Sequence, residues 1–144
     1  MTAYQFFGRL HPLVLHFPVA LLLIAAAVEF VRVFHDDTRL GRLTVFLVAL
    51  GAAGAVVAAV TGWVFAHESH PRQSMRPTLT WHRWLGVVTA ALSLLAWAAA
   101  HRWVDDPRRG ARGLRRSIVW LTAVILIVTA HLGALLVWGT DYFS

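Results

Sequence analysis

The sequence predicts an all-α fold, an integral membrane antiparallel four-helix bundle, and three observations predict it. Hydrophobic residues make up 58% of the chain and charged residues only 14%, against roughly 45–50% and about 25% in a soluble domain. Mean hydropathy is +0.64. The apolar residues fall into four blocks, each close to the ~20 residues that carry a helix across about 30 Å of hydrocarbon. With no water there to satisfy backbone groups, each block must be helical. The polar connections HDDTRLGR, HESHPRQSMRPT and DDPRRGARGLRR are short, so consecutive helices run antiparallel. A length of 144 residues fits one domain over 1–144.

The first span covers about 13–34, with Glu29 and Arg32 near its far end. Pro12 suits the first turn of a helix. Pro18 falls inside and frees the carbonyl of Val14, an acceptor for an imidazole. Ala25-Ala26-Ala27 offers small residues of the kind found at cleavage sites, but His16 and Pro18 interrupt the apolar stretch, so the span is expected to be retained. The second span, about 43–66, carries no charge. The third, about 78–103, is charge-free from Trp84 to Ala100. The fourth, about 117–140, contains one ionisable residue, His131.

All thirteen basic residues are arginines, and they lie between the apolar blocks. That placement belongs to a membrane protein, and nucleic acid is not an expected partner despite the net charge of +6. The first and third connections and their flanks carry nine arginines; the N-terminus, the second connection and the start of the third span carry four. The positive-inside rule puts the nine in the cytoplasm and both termini in the periplasm, in a bacterial inner membrane. Trp63, Trp81, Trp84 and Trp138 then fall near the outer boundary, and Trp103 and Trp120 near the inner one. The absence of cysteine excludes disulfides, thiolate metal sites and covalent haem attachment. Glu29 and Arg32, three residues apart, read as a helix-end ion pair.

Eight histidines stand in this apolar chain. At 1.5 Å rise per residue, His16 lies ~6 Å inside the outer end of the first helix, with His82 at similar depth in the third and His131 roughly 10–13 Å deep in the fourth. His11, His67 and His70 sit at or beyond that boundary; His35 and His101 belong to the other end. Intramembrane ionisable residues usually face the bundle interior and mark function. Neutral imidazole binds zinc, copper and iron. Two imidazoles facing each other from different helices form a haem b site, with His16 and His82 the favoured axial pair and His131 a neighbour or alternative ligand. His11 joins these three as a candidate metal ligand. Gly86, Gly133 and the second helix's Gly51, Gly54, Ala58, Ala59 and Gly62 would give room, and Arg83 would meet a propionate. The plainer reading has each histidine bonding a carbonyl on a neighbouring helix, worth about 1 kcal/mol, with the small residues serving close packing.

Three stretches go together: Leu10-His11-Pro12-Leu13-Val14-Leu15-His16-Phe17-Pro18, then Trp81-His82-Arg83-Trp84-Leu85-Gly86, then Ala130-His131-Leu132-Gly133 leading to Gly139-Thr140-Asp141-Tyr142. In this the chain resembles the bacterial membrane-domain family known as domain of unknown function 2231, in the branch joined to planctomycete-type cytochrome c domains. The resemblance implies a four-helix membrane domain whose motif histidines match His11, His16, His82 and His131. It also implies a c-type cytochrome or a larger redox complex as partner. It departs where a double glycine reads Gly133-Ala134 and where a later T-H-G element reads Val137-Trp138-Gly139. The expected function is a small cytochrome b-like electron-transfer subunit. The alternatives are an accessory subunit of a respiratory or photosynthetic complex and a histidine-based metal-binding protein. A transporter fits poorly, since the chain has no inverted repeat.

Overall fold

The computed structural model describes Phe6 and residues 10–35, 37–68 and 72–139. Four long helices account for nearly all of them: α1 (His11–Phe34), α2 (Thr38–Glu68), α3 (Arg76–Arg102) and α4 (Arg109–Trp138). Each is long and apolar enough to cross a membrane. Helix α1 is interrupted at Leu15, between a first turn His11–Val14 and the main run His16–Phe34. Pro18 lacks the N–H that would close on Val14, and the neighbouring Val19-to-Leu15 bond is stretched to 3.3 Å. A 3-10 turn, Gln73–Met75, leads into α3. Helix α4 begins eight residues before the expected span. Hydropathy marks where the apolar residues start, whereas the helix continues through the arginines of the interface.

Helices α1 and α2, α2 and α3, α3 and α4, and α4 and α1 are the packed neighbours. The four therefore form a ring with α1 diagonal to α3 and α2 diagonal to α4. One end of the bundle gathers the N-termini of α1 and α3 and carries His11, His16, His67, His82 and His131. The other gathers the α1–α2 and α3–α4 connections and carries most arginines.

Side-chain size is sorted from inside to outside. The interior stripes run Pro18, Leu22, Ala25, Glu29 on α1, Thr44, Val48, Gly51, Ala55 on α2, Thr89, Ser93, Ala96, Ala100 on α3 and Arg115, Val119, Thr122, Leu126, Thr129 on α4. These repeat at spacings of three and four, the period of a helix face. Most are small, which lets the backbones approach. Gly51 and Gly54, expected to make room for a cofactor, instead seat α1: a Cβ at Gly51 would stand 2.8 Å from Leu22, and one at Gly54 3.1 Å from Phe17. Buried hydroxyls bond carbonyls one turn back, as Thr44 to Leu40, Thr122 to Ile118 and Thr129 to Ile125. Large apolar side chains face outward, including Phe46, Val60, Leu95, Val124 and Ile127. In water so wide an apolar surface would aggregate; in a bilayer it meets lipid.

Candidate functional site

At the histidine end, two imidazoles from diagonal helices meet inside the bundle. The rings of His11 on α1 and His82 on α3 stand 6.3 Å apart, centroid to centroid, with planes at 72°. Each sits against an even-numbered helix where a glycine leaves space. A Cβ on Gly62 of α2 would come within 2.7 Å of His11 Cε1, and one on Gly133 of α4 within 2.9 Å of His82 Cε1. No residue but glycine permits that approach.

The two seats are built alike. His82 Nδ1 donates to the carbonyl of Thr129, one turn before Gly133, at 2.9 Å. His11 lies beside the carbonyl of Ala58, one turn before Gly62, and its Nδ1 stands 3.4 Å from the Thr61 hydroxyl. That hydroxyl already donates to the carbonyls of Val57 and Ala58, so it accepts from His11. A carbonyl only accepts, so His82 also carries its proton on Nδ1. The carbonyl bond holds His82 with its proton on Nδ1, and no hydrogen bond at Nε2 of either ring appears among the described residues.

The surroundings are aromatic and basic. Arg83, next to His82, lays its guanidinium 3.9 Å from the centroid of the Trp63 ring, which meets Trp84 edge-on at 5.6 Å. Its Nε is buried without a hydrogen-bond partner. Gly86, one turn after His82, has no atom within 4 Å of a Cβ built on it, so the α3 face beside His82 is open.

The interior pair is thus not the one read from depth. His16 is exposed, and its Nδ1 turns back to the carbonyl of Pro12 at 2.7 Å rather than to the freed Val14 carbonyl. It is separated from Pro18 on the helical wheel by about 200°, which puts it on the opposite face of α1. His131 is exposed for the same reason, two residues from the inward Thr129. Gly133, expected beside His131, lies under His82. His67 and His101 are exposed, the latter packed on Trp97. His70, Arg9 and Asp141 lie outside the described residues.

The opposite end holds a polar cluster that the sequence showed only in part. Glu29 is fully buried and accepts from Arg32 on its own helix at 2.6 Å and from Arg115 of α4 at 3.2 Å. Arg116 Nε stands 3.6 Å away. Arg115, also fully buried, donates to the carbonyls of Trp103 and Val104 where α3 ends, at 2.7 and 3.1 Å. These are end-of-helix acceptors that no intrahelical N–H can reach. The expected Glu29–Arg32 pair is present, as the smaller part of a network tying α1, α4 and the α3–α4 turn together. Arg115 could have been found from its stripe: 115, 119, 122, 126 and 129 share one face of α4.

Among the described residues, no group of three His, Cys, Asp or Glu side chains stands close enough to hold a metal ion alone. No curated protein and no solved structure matches the chain. The model of one family, described as predicted membrane protein (DUF2231), matches residues 9–142, and the chain belongs to that family.

Proposed function

We propose that the protein is a membrane electron-transfer subunit of the cytochrome b kind, in which His11 and His82 would hold a haem b. The observation that carries this reading is the pair of Nε2 lone pairs from diagonal helices, each imidazole held by a hydrogen bond at Nδ1. Metal-bound histidines characteristically donate their other N–H to a carbonyl or similar acceptor, which fixes the ring and raises its basicity. A metal–nitrogen bond of about 2.0–2.1 Å puts two imidazoles on opposite sides of one ion with centroids about 6 Å apart. The 6.3 Å found here is that spacing. A closed zinc site wants four ligands, whereas a haem asks the protein for two. The open face at Gly86 supports room for the ring, and the unpartnered Nε of Arg83 suits a propionate. A bound haem would supply one-electron transfer, and His11 and His82 would hold it within the bundle.

The arginine imbalance supports an orientation with the histidine end in the periplasm of a bacterial inner membrane, where a c-type cytochrome or a larger redox complex would exchange electrons with it. The close seating of both rings on Gly62 and Gly133 favours a second reading, a single copper or iron ion without a porphyrin.

The test is a visible spectrum of protein purified from haem-replete cells. A bis-imidazole Soret and α-band pattern that sharpens on dithionite supports haem, and it should vanish in His11→Ala and His82→Ala but persist in His16→Ala and His131→Ala. Stoichiometric metal without a Soret band supports the second reading. Neither haem nor metal in haem- and copper-replete protein overturns both, leaving an accessory subunit with structural histidines.

A further inference from the structure

We propose that the outward faces of α1 and α4 at the histidine end form an interface between two copies of the chain, in which His131 of each copy donates a hydrogen bond to His16 of the other. Both side chains are exposed on the surface of the bundle. His16 stands five residues after the start of α1 and His131 seven before the end of α4, about 7–10 Å inside the helix ends. From Ser117 to Trp138, a stretch about as long as the hydrocarbon is thick, His131 is the one ionisable residue. Ionisable side chains at such depth face protein or water, because lipid offers an imidazole no partner. The bundle turns these two away from its own interior, so the protein that covers them comes from outside the chain.

The two faces adjoin. Trp120, on the same side of α4 as His131 and about three turns before it, donates its indole N–H to the carbonyl of Ala26 on α1 at 3.3 Å. Ala27, the next residue, continues the side of α1 that begins with His16 and Ala20. Ala20 and Ala27 are small and exposed, whereas the lipid-facing surface elsewhere carries Phe46, Val60, Leu95 and Val124. Small side chains let a second helix approach closely. The bonding capacity of the histidines points to which helix that is. His16 Nδ1 donates to the carbonyl of Pro12 at 2.7 Å, so its Nε2 is an acceptor. The neutral His131 ring has one N–H to donate. One face therefore holds an acceptor on α1 and a donor on α4 at nearly the same depth. A two-fold axis along the membrane normal keeps every residue at its depth and sets α1 of one copy against α4 of the other. The donor of each copy then meets the acceptor of its partner, the reciprocal pairing by which a two-fold interface closes on itself.

Neither histidine belongs to the His11–His82 pair, so the test does not depend on haem. The protein, labelled at a cysteine added after Ser144, is reconstituted in vesicles of phosphatidylcholine and phosphatidylglycerol over a range of protein-to-lipid ratios. Energy transfer between copies follows association, and the wild type should form dimers. His16→Leu and His131→Leu should each weaken the dimer by about tenfold or more. A hydrogen bond between membrane helices changes association by about threefold to thirtyfold, and each variant breaks both bonds of the symmetric pair. His101→Leu, exposed at the opposite end on α3, should change nothing. The natural chain has no cysteine, so crosslinking reads the geometry independently. Ala20→Cys and Ile127→Cys each lie one turn deeper than a histidine. Unlabelled copies carrying one, mixed with copies carrying the other, should form a disulfide under mild oxidation, and Val60→Cys of α2 mixed with Ile127→Cys should not. Monomers at every lipid ratio, undiminished dimers in both histidine variants, dimers that form only with added zinc or copper, or crosslinking through Val60→Cys as readily as through Ala20→Cys overturns the proposal.

Discussion

Adding one methyl group at Gly62 tests whether the His11 ring stands where the structure puts it. The new Cβ would lie 2.7 Å from His11 Cε1, and carbon atoms settle at about 3.5–4.0 Å, so the ring must retreat by about 0.8 Å. Its bond to Thr61 is already 3.4 Å long and would be lost, at about 1 kcal/mol. Overpacking costs about 1–3 kcal/mol, while replacing a mid-helix glycine by alanine returns about 0.5–1 kcal/mol. Gly62→Ala should therefore destabilise by about 1–3 kcal/mol, a fall of several degrees in melting temperature. Gly86→Ala meets no atom within 4 Å, so it should keep the propensity gain and melt slightly higher. The assay is thermal unfolding in detergent, followed by circular dichroism. A double-mutant cycle with His11→Ala makes it specific: removing the ring should relieve the Gly62→Ala cost, with a coupling of about 0.5–3 kcal/mol. If Gly62→Ala melts as high as Gly86→Ala, or the cycle shows no coupling, His11 does not sit on α2 and the paired-histidine site is wrong.

Glu29→Gln should cost about 3–5 kcal/mol, because it leaves the fully buried Arg115 without its carboxylate; adding Arg115→Met should recover part of that, and unchanged unfolding in the single variant would refute the network. Asp106, whose carboxyl bonds the Arg108 guanidinium and backbone N–H, is lowered from 3.8 to about 2. The loop contact therefore persists above the ordinary carboxylate range and is lost as pH falls toward 2; carbonyl NMR should show that midpoint, and Arg108→Ala should return it upward. Reporter fusions after Gly110 should be active in the cytoplasm and fusions after Ser144 in the periplasm, with the reverse pattern ending the proposed orientation.

Depth along each helix was legible in the sequence; rotation about it was harder to read. Hydropathy fixes where a residue lies along the membrane normal, so the four spans, the gathering of histidines at one end and the diagonal relation of α1 to α3 could all be read. Depth alone made His16, His82 and His131 look like one layer. Rotation separates them: the buried Pro18, Leu22, Ala25 and Glu29 define the inward stripe of α1, and His11 continues it seven residues earlier, while His16 falls on the far side. The interior of α3 repeats the same spacing from His82 through Thr89, Ser93, Ala96 and Ala100. The stripe of small residues, set against the large apolar residues turned to lipid, carries that phase. Arg115 and Arg116 escaped for a different reason. They sit in a run of arginines that composition assigns to the aqueous interface, and the Glu29 carboxylate together with the acceptors at the end of α3 draws Arg115 inward.

The bundle places its buried polar groups at its two ends, and the chemistry of each end follows from its partners. At the arginine end Glu29 and the carbonyls of Trp103 and Val104 take up terminal N–H groups of Arg32 and Arg115, so burying them fixes how α1, α3 and α4 meet. Replacing such a network by apolar side chains is often neutral for stability, whereas breaking half of it is not; that asymmetry suits a device for register. At the histidine end the groups are satisfied on one side only. Each Nδ1 is engaged, and no hydrogen bond at either Nε2 appears among the described residues. A purely structural role would need only the Nδ1 bonds, which an asparagine could also make. The substitution His82→Asn separates the two: as a structural bond it should keep the fold and every property of the protein, and as a ligand it should keep the fold and lose the reducible spectrum. A His82→Asn protein with the wild-type spectrum would remove His82 from the ligand pair.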